Sequence, residues 1–117
     1  MMEKLSKDFR KNEFACPCCG LFIHQPELIK KLQKLRNKVG LPIRINSGTR
    51  CLKHNLEEGG SDNSAHLSGH ATDITCDDMF KLLKEAFQTF ERIGIISNTS
   101  IHVDVDPTKK QKCWWPY

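Results

Sequence analysis

The stretch SAHLSGHATDI places His66 and His70 in a run of small polar residues and Asp73 on the apolar segment that follows. A carboxylate inside an apolar segment needs a partner. Zinc is a natural one, because it takes neutral imidazole nitrogen and carboxylate oxygen, and a catalytic site uses three protein ligands with a fourth position open. SIHVDV offers the third ligand. Side chains two apart in a strand share a face, so His102, Asp104 and Asp106 are expected to point one way while Ile101, Val103 and Val105 point toward a core. If ATDIT lies beside this strand, His66, Asp73 and His102 converge on a single ion. His66 and His70 have the four-residue spacing of the helical zinc pair of metalloproteases, but the intervening LSG lacks the glutamate and contains a helix-breaking glycine, so that arrangement is excluded. Singly, Asp73 reads as a turn carboxylate, His70 as a solvent histidine and His102 as a satisfied strand histidine; the metal reading rests on their conjunction.

The elements that must position these residues follow from periodicity. Leu28, Ile29, Leu32, Leu35 and Val39 recur at helical spacing between Pro26 at the start and Gly40 just past the end, which predicts an amphipathic helix. IRIN alternates as a short strand and runs into the turn-prone SGTR. CLKHNLEEGG fits about two helical turns closed by the glycine pair. Gly59 to His70 reads as a long loop, ATDIT as a strand, and Asp77-Asp78 open a second amphipathic helix carrying Met79, Leu82, Leu83, Ala86, Phe87 and Phe90. IGIIS and SIHVDV form two strands joined at Asn98-Thr99. The expected fold is α+β, a small antiparallel sheet with amphipathic helices packed on one side, in a single domain over residues 1–117 with its motif-bearing core at about 40–106.

Composition narrows the function. The chain has 117 residues, a formal net charge of +4 and no apolar run approaching the length of a membrane span. Its basic residues are scattered rather than gathered into a stripe with interleaved aromatics, so nucleic acid is not an expected partner. MMEKLSKDFR is charged throughout, which leaves no apolar core for a signal peptide and predicts cytoplasmic synthesis.

The residues Ser64-x-His66-x-x-Gly69-x-Ala71-x-Asp73 resemble the S-x-H-x-x-G-x-A-x-D signature of the zinc D-alanyl-D-alanine carboxypeptidase family. That family groups with vancomycin-resistance D,D-dipeptidases, phage L-alanyl-D-glutamate endolysins, murein endopeptidases and the hedgehog signalling domain. SGTR ending at Arg50, the glycine-rich GGSDNS and the strand IHVD resemble the family's other motifs in order and spacing, and CWWPY is similar to the aromatic close of short phage-type members. The resemblance implies the hedgehog-like fold of the D-Ala-D-Ala metallopeptidases and a Zn2+ peptidase acting on peptidoglycan stem peptides, as carboxypeptidase or endopeptidase, with the bacterial cell wall as its place of action. It is expected to be a monomer. His66, Asp73 and His102 would be the metal ligands, and Arg50 would contact the substrate carboxylate or the developing oxyanion.

The chain departs from some branches of the family at the general base, because the position three before the last histidine is Thr99 and not an acid. Asp104, on the same strand face as His102, is the substitute as catalytic base; the competing reading makes it the carboxylate that orients a ligand histidine. The missing acid keeps open a second function, a non-catalytic zinc-containing module that binds wall peptide or sits in a virion. Ser64 and His70 are candidates for supporting hydrogen bonds, with exposure preferred for His70, and Gly69 is expected to adopt positive φ or to let substrate approach.

The six cysteines are a separate matter. Cys16-x-Cys18-Cys19 is tight enough to supply thiolates to a structural zinc, completed by His24 or Cys113, but lacks the paired C-x-x-C arms of a zinc ribbon. Packed or exposed thiols are the expected state, with Cys51 and Cys76 buried.

Overall fold

A computed structural model describes residues 3–116. The first helix, α1 (Pro26–Val39), forms where the periodicity predicts it and buries Leu28, Ile29, Leu32, Leu35 and Val39. Pro26 sits at its first position, where the missing N–H costs nothing, and Gly40 closes it in the left-handed region at φ 75°, donating to the Arg36 carbonyl. β1 (Ile43–Ser47) follows, then the short α2 (Leu52–Glu57), β2 (Ala71–Cys76) and α3 (Met79–Thr89). The Asp78 carboxylate caps α3 by accepting from the Lys81 N–H at 3.0 Å. The chain ends in β3 (Arg92–Ser97), β4 (Ser100–Asp104) and β5 (Cys113–Pro116).

These strands make one five-stranded sheet in the order β1-β2-β4-β3-β5. Three pairings are antiparallel, but β5 adds to β3 in parallel, so the expected antiparallel sheet gains one parallel edge. CWWP alternates too briefly to announce a strand, and its proline is tolerated because β5 is at the edge. A 3-10 turn at Lys11–Glu13 also has no signal in the sequence.

The alternation of the strands divides the sheet into two unlike faces. Ile74 and Cys76 of β2, Ile93 of β3 and Ile101 and Val103 of β4 join Leu32, Leu35, Leu82 and Ala86 of the two long helices in one buried apolar core. Asp73, His102, Asp104 and Arg92 are the alternate residues of the same strands, and all are buried. The register sets Asp73 directly opposite His102, and both Ala71 and Arg92 opposite Asp104. A polar cluster is therefore held by the same ladder that aligns the core.

Asp106 departs from the expected shared face with His102 and Asp104. β4 ends at Asp104, and Asp106 lies in the following turn, where its carboxylate accepts from the backbone and hydroxyl of Thr108.

Candidate metal centre

Gly59 to His70 contains turns but neither helix nor strand. That segment delivers His66, fully buried, to the polar face of β2 and β4. His66, Asp73 and His102 each offer a ligand atom, and these atoms lie within 4.8 Å of one another. The convergence expected from the sequence is thus present in the fold.

The hydrogen bonds of the two histidines define which nitrogens are available. His66 Nδ1 lies 2.8 Å from the Gly48 carbonyl oxygen, which only accepts, so Nδ1 carries the proton. His102 Nε2 lies 2.7 Å from Asp104 Oδ2 and donates to that carboxylate. This leaves His66 Nε2 and His102 Nδ1 aimed at one oxygen, Asp73 Oδ1, at 3.2 and 3.1 Å. Two imidazole lone pairs and a carboxylate oxygen at such separations repel unless protons or a cation supply positive charge among them. Two nitrogens and one oxygen are a donor set that zinc accepts, and both histidines are tied through their second nitrogen as metal-binding histidines usually are. The residues fit a zinc ion.

Among the side chains alone, protons on the histidines supply that positive charge, and the pKa directions are those of a hydrogen-bonded cluster. Burial pushes the Asp73 carboxyl up, but hydrogen bonds from His102 and His66 outweigh it and hold the group well below the ordinary carboxylate range. Burial pushes His102 down, yet its bonds to Asp104 and Asp73 carry it above the usual histidine value.

Arg50 is buried and not a surface residue of a turn. Its NH2 donates to Asp73 Oδ2 at 3.0 Å, its NH1 to Asn55 Oδ1 at 3.1 Å and its Nε to Ser47 Oγ at 2.8 Å. Each of the guanidinium nitrogens therefore has a protein acceptor, and the cation neutralises the carboxylate oxygen that faces away from the histidines. Asp104 is shared likewise: besides His102 it accepts from Arg92 Nε at 2.7 Å and from the Asp106 backbone N–H at 3.1 Å.

The supporting residues fall out differently. His70 sits apart from the cluster, partly exposed, with Nδ1 2.6 Å from Ser68 Oγ. Ser64 Oγ accepts from the His66 backbone N–H at 3.2 Å, which shapes the approach to the first histidine. Gly69 has φ 79°, as expected, but what approaches it is the chain itself: a Cβ there would stand 2.3 Å from the Ile23 carbonyl oxygen. The close approach foreseen for substrate is made by Ile23.

Arg92, Trp115, Asn55 and the Gly48 carbonyl were not singled out from the sequence. An arginine opening the apolar run RIGIIS was the one available signal, since a buried guanidinium requires an acid on a neighbouring strand. Arg92 also stacks over the Trp115 ring at 4.7 Å, and that ring lies 5.6 Å from His102. A cleft of about 440 Å³ opens here, bordered by Gly60, Ser61, Asn63, Arg92, Lys109 and Trp115, with His102 and Asp104 in its wall.

The thiols divide into two groups. Cys16, Cys19 and Cys51 bring their sulfurs within 4.8 Å of one another. Burial would raise the Cys16 thiol, but hydrogen bonds from the Cys51, Cys18 and Cys19 backbone and the Cys51 side chain bring it down to about 7. Cys51 is half-buried, not fully buried as expected, while Cys76 is in the core. His24 and Cys113 do not complete the group: His24 stacks on Phe22, and the Cys113 sulfur lies 3.3 Å from Arg92 NH1.

A family model described as Peptidase M15 matches residues 3–104. The zinc D-Ala-D-Ala carboxypeptidase of Streptomyces albus G is 44% identical over 45 residues, a stretch that covers 38% of this chain and 18% of that protein. The matched stretch is thus less than a fifth of the length of that curated relative.

Proposed function

This chain belongs to the peptidase M15 family, and from that premise we propose that it is a zinc-dependent peptidase hydrolysing peptide bonds in bacterial peptidoglycan stem peptides. The observation that carries the reading is the aim of His66 Nε2 and His102 Nδ1 at a single oxygen of Asp73, each ring fixed through its other nitrogen. Zinc at such a site polarises a scissile carbonyl and makes water acidic enough to act near neutral pH.

The chain's own residues have separable tasks. His66, Asp73 and His102 would hold the ion. Arg50 orients Asp73 and balances its charge through its NH2 bond; the guanidinium is buried with a protein acceptor at each nitrogen, which favours this positioning task over the contact with substrate carboxylate or oxyanion that the resemblance implies. Asp104 holds the His102 ring and is itself neutralised by Arg92, which favours the orienting role over that of general base. Trp115 and the polar loop at Ser61 and Asn63 shape a cleft of a size suited to a short peptide. The mild surplus of positive charge, +4, fits an anionic wall.

A second reading, a non-catalytic module that binds wall peptide on the same fold, rests on one observation. The position three before His102 is Thr99, exposed in the β3–β4 turn, where no acid can stand in for Asp104, itself already engaged by three partners. Mass spectrometry of defined muropeptides incubated with the zinc-loaded protein separates the two. Cleavage that stops on chelation and returns with zinc is expected; binding without any product mass would assign the module, and cleavage indifferent to chelation would overturn both.

A further inference from the structure

We propose that Cys16, Cys19 and Cys51, with Cys18 as fourth ligand, form a second metal site that holds a structural zinc ion and staples the N-terminal segment to the loop carrying Arg50. It is independent of the His66 site, because it shares no ligand with it.

The geometry is that of a thiolate centre. Four sulfurs at about 2.3 Å from a tetrahedral zinc lie about 3.8 Å from one another. Cys16 Sγ and Cys51 Sγ are 3.8 Å apart, and the Cys19 sulfur lies within 4.8 Å of both. A disulfide needs sulfurs at about 2.05 Å and joins only two of them, so it accounts neither for this spacing nor for the third sulfur. Cys18 stands outside this group of three, exposed in the same turn between Cys16 and Cys19, and would swing in to take the fourth corner.

Backbone donors face two of the sulfurs. The Cys51 N–H points at Cys16 Sγ at 3.5 Å and the His54 N–H at Cys51 Sγ at 3.4 Å. Cys16 begins a tight turn closed by Gly20 N–H to Cys16 O at 2.7 Å, with Gly20 at φ 79°, which brings Cys18 and Cys19 back toward Cys16. Cys18 and Cys19 are exposed, so an ion has a path in.

The position of the cluster gives it a task. The segment before α1 is anchored in the core by Phe9 and Phe14, and it meets the loop before Arg50 where Thr49 N–H donates to Phe14 O at 2.8 Å and Ile23 N–H to Thr49 Oγ1 at 3.2 Å. Cys51 adjoins Arg50 and is the cap residue of α2. An ion shared by Cys16, Cys18, Cys19 and Cys51 would fix that cap, and with it the arginine that neutralises Asp73. Chelating a structural ion of this kind removes folding free energy directly.

The test is cobalt(II) substitution of the reduced, full-length protein, combined with metal analysis of the zinc form. Expected are two zinc ions per chain and, in the cobalt form, a near-ultraviolet sulfur-to-cobalt charge-transfer band, which a site of histidine and aspartate cannot produce. Cys19→Ser, at an exposed position, should lower the affinity of the sulfur site at least tenfold and weaken the band, while the ion at His66, Asp73 and His102 stays. A cobalt spectrum without a sulfur band, a Cys16–Cys51 disulfide in the purified protein, or a Cys19→Ser spectrum and metal content equal to wild type would overturn the proposal. A sulfur band with only one ion per chain would sustain it and count instead against the zinc peptidase reading.

Discussion

The imidazole–carboxylate cluster and the thiol cluster meet at consecutive residues, Arg50 and Cys51, and are built in opposite ways. His102 and Asp73 stand opposite each other in a ladder whose other face is the apolar core, so they cannot move without disturbing Ile74, Ile101 and Val103. The thiols come from a turn at Cys16–Gly20 and from the cap of a six-residue helix, with two of the four exposed. The first cluster is held by the fold. The second would help to hold it, since an ion shared by a turn and a helix cap cross-links segments distant in the chain and adds its binding free energy to folding.

The largest effect is expected from Asp73→Ala. It removes the shared oxygen and leaves the Arg50 guanidinium, 5% exposed, without its carboxylate. An uncompensated buried charge costs about 3–5 kcal/mol. Muropeptide cleavage should disappear, metal analysis should show the loss of one ion, and urea unfolding should show destabilisation of that order. Retained cleavage would break the distinction between a cluster that does chemistry and one that supports it.

Asp104→Asn sharpens the same distinction. Losing the orienting carboxylate of a ligand histidine typically costs about 10–100-fold in metal affinity or activity. Loss of metal affinity in that range is expected, with activity restored at high zinc. A fall in kcat with affinity untouched would instead make Asp104 the proton carrier.

Gly48→Ala tests the link between the clusters. A Cβ at Gly48 would stand 2.5 Å from the Phe14 carbonyl oxygen, while the Gly48 carbonyl receives His66 Nδ1. Overpacking of this kind costs about 1–3 kcal/mol, and urea unfolding should show it together with weaker binding of the His66-site ion. Phe80→Ser, on the outer side of α3 at 82% exposure, is the counterpart. Its stability should change by no more than about 0.5 kcal/mol, and metal content should stay at the wild-type value.

The two clusters also differ in how far the sequence discloses them. Strand alternation in SIHVDV and ATDIT and the motif around His66 suffice to place His66, Asp73 and His102 together, because register turns a two-residue period into a shared face. Both long helices were legible for the same reason, from apolar spacing bounded by Pro26, Gly40 and Asp78. What escaped depends on contacts between distant segments. Arg92 meets Asp104 across β3 and β4, Trp115 reaches His102 only because β5 pairs in parallel, and Cys51 joins Cys16 across 35 positions. Asp106 was placed on the metal face by extending the alternation two residues beyond the strand's true end.

Anomalous diffraction at the zinc absorption edge from crystals of the zinc-loaded protein addresses the central claim most directly. A peak about 2.0–2.2 Å from His66 Nε2, an Asp73 oxygen and His102 Nδ1 is the predicted result. Density in which those three atoms hydrogen-bond one another with no scatterer among them, in zinc-saturated crystals, would contradict it.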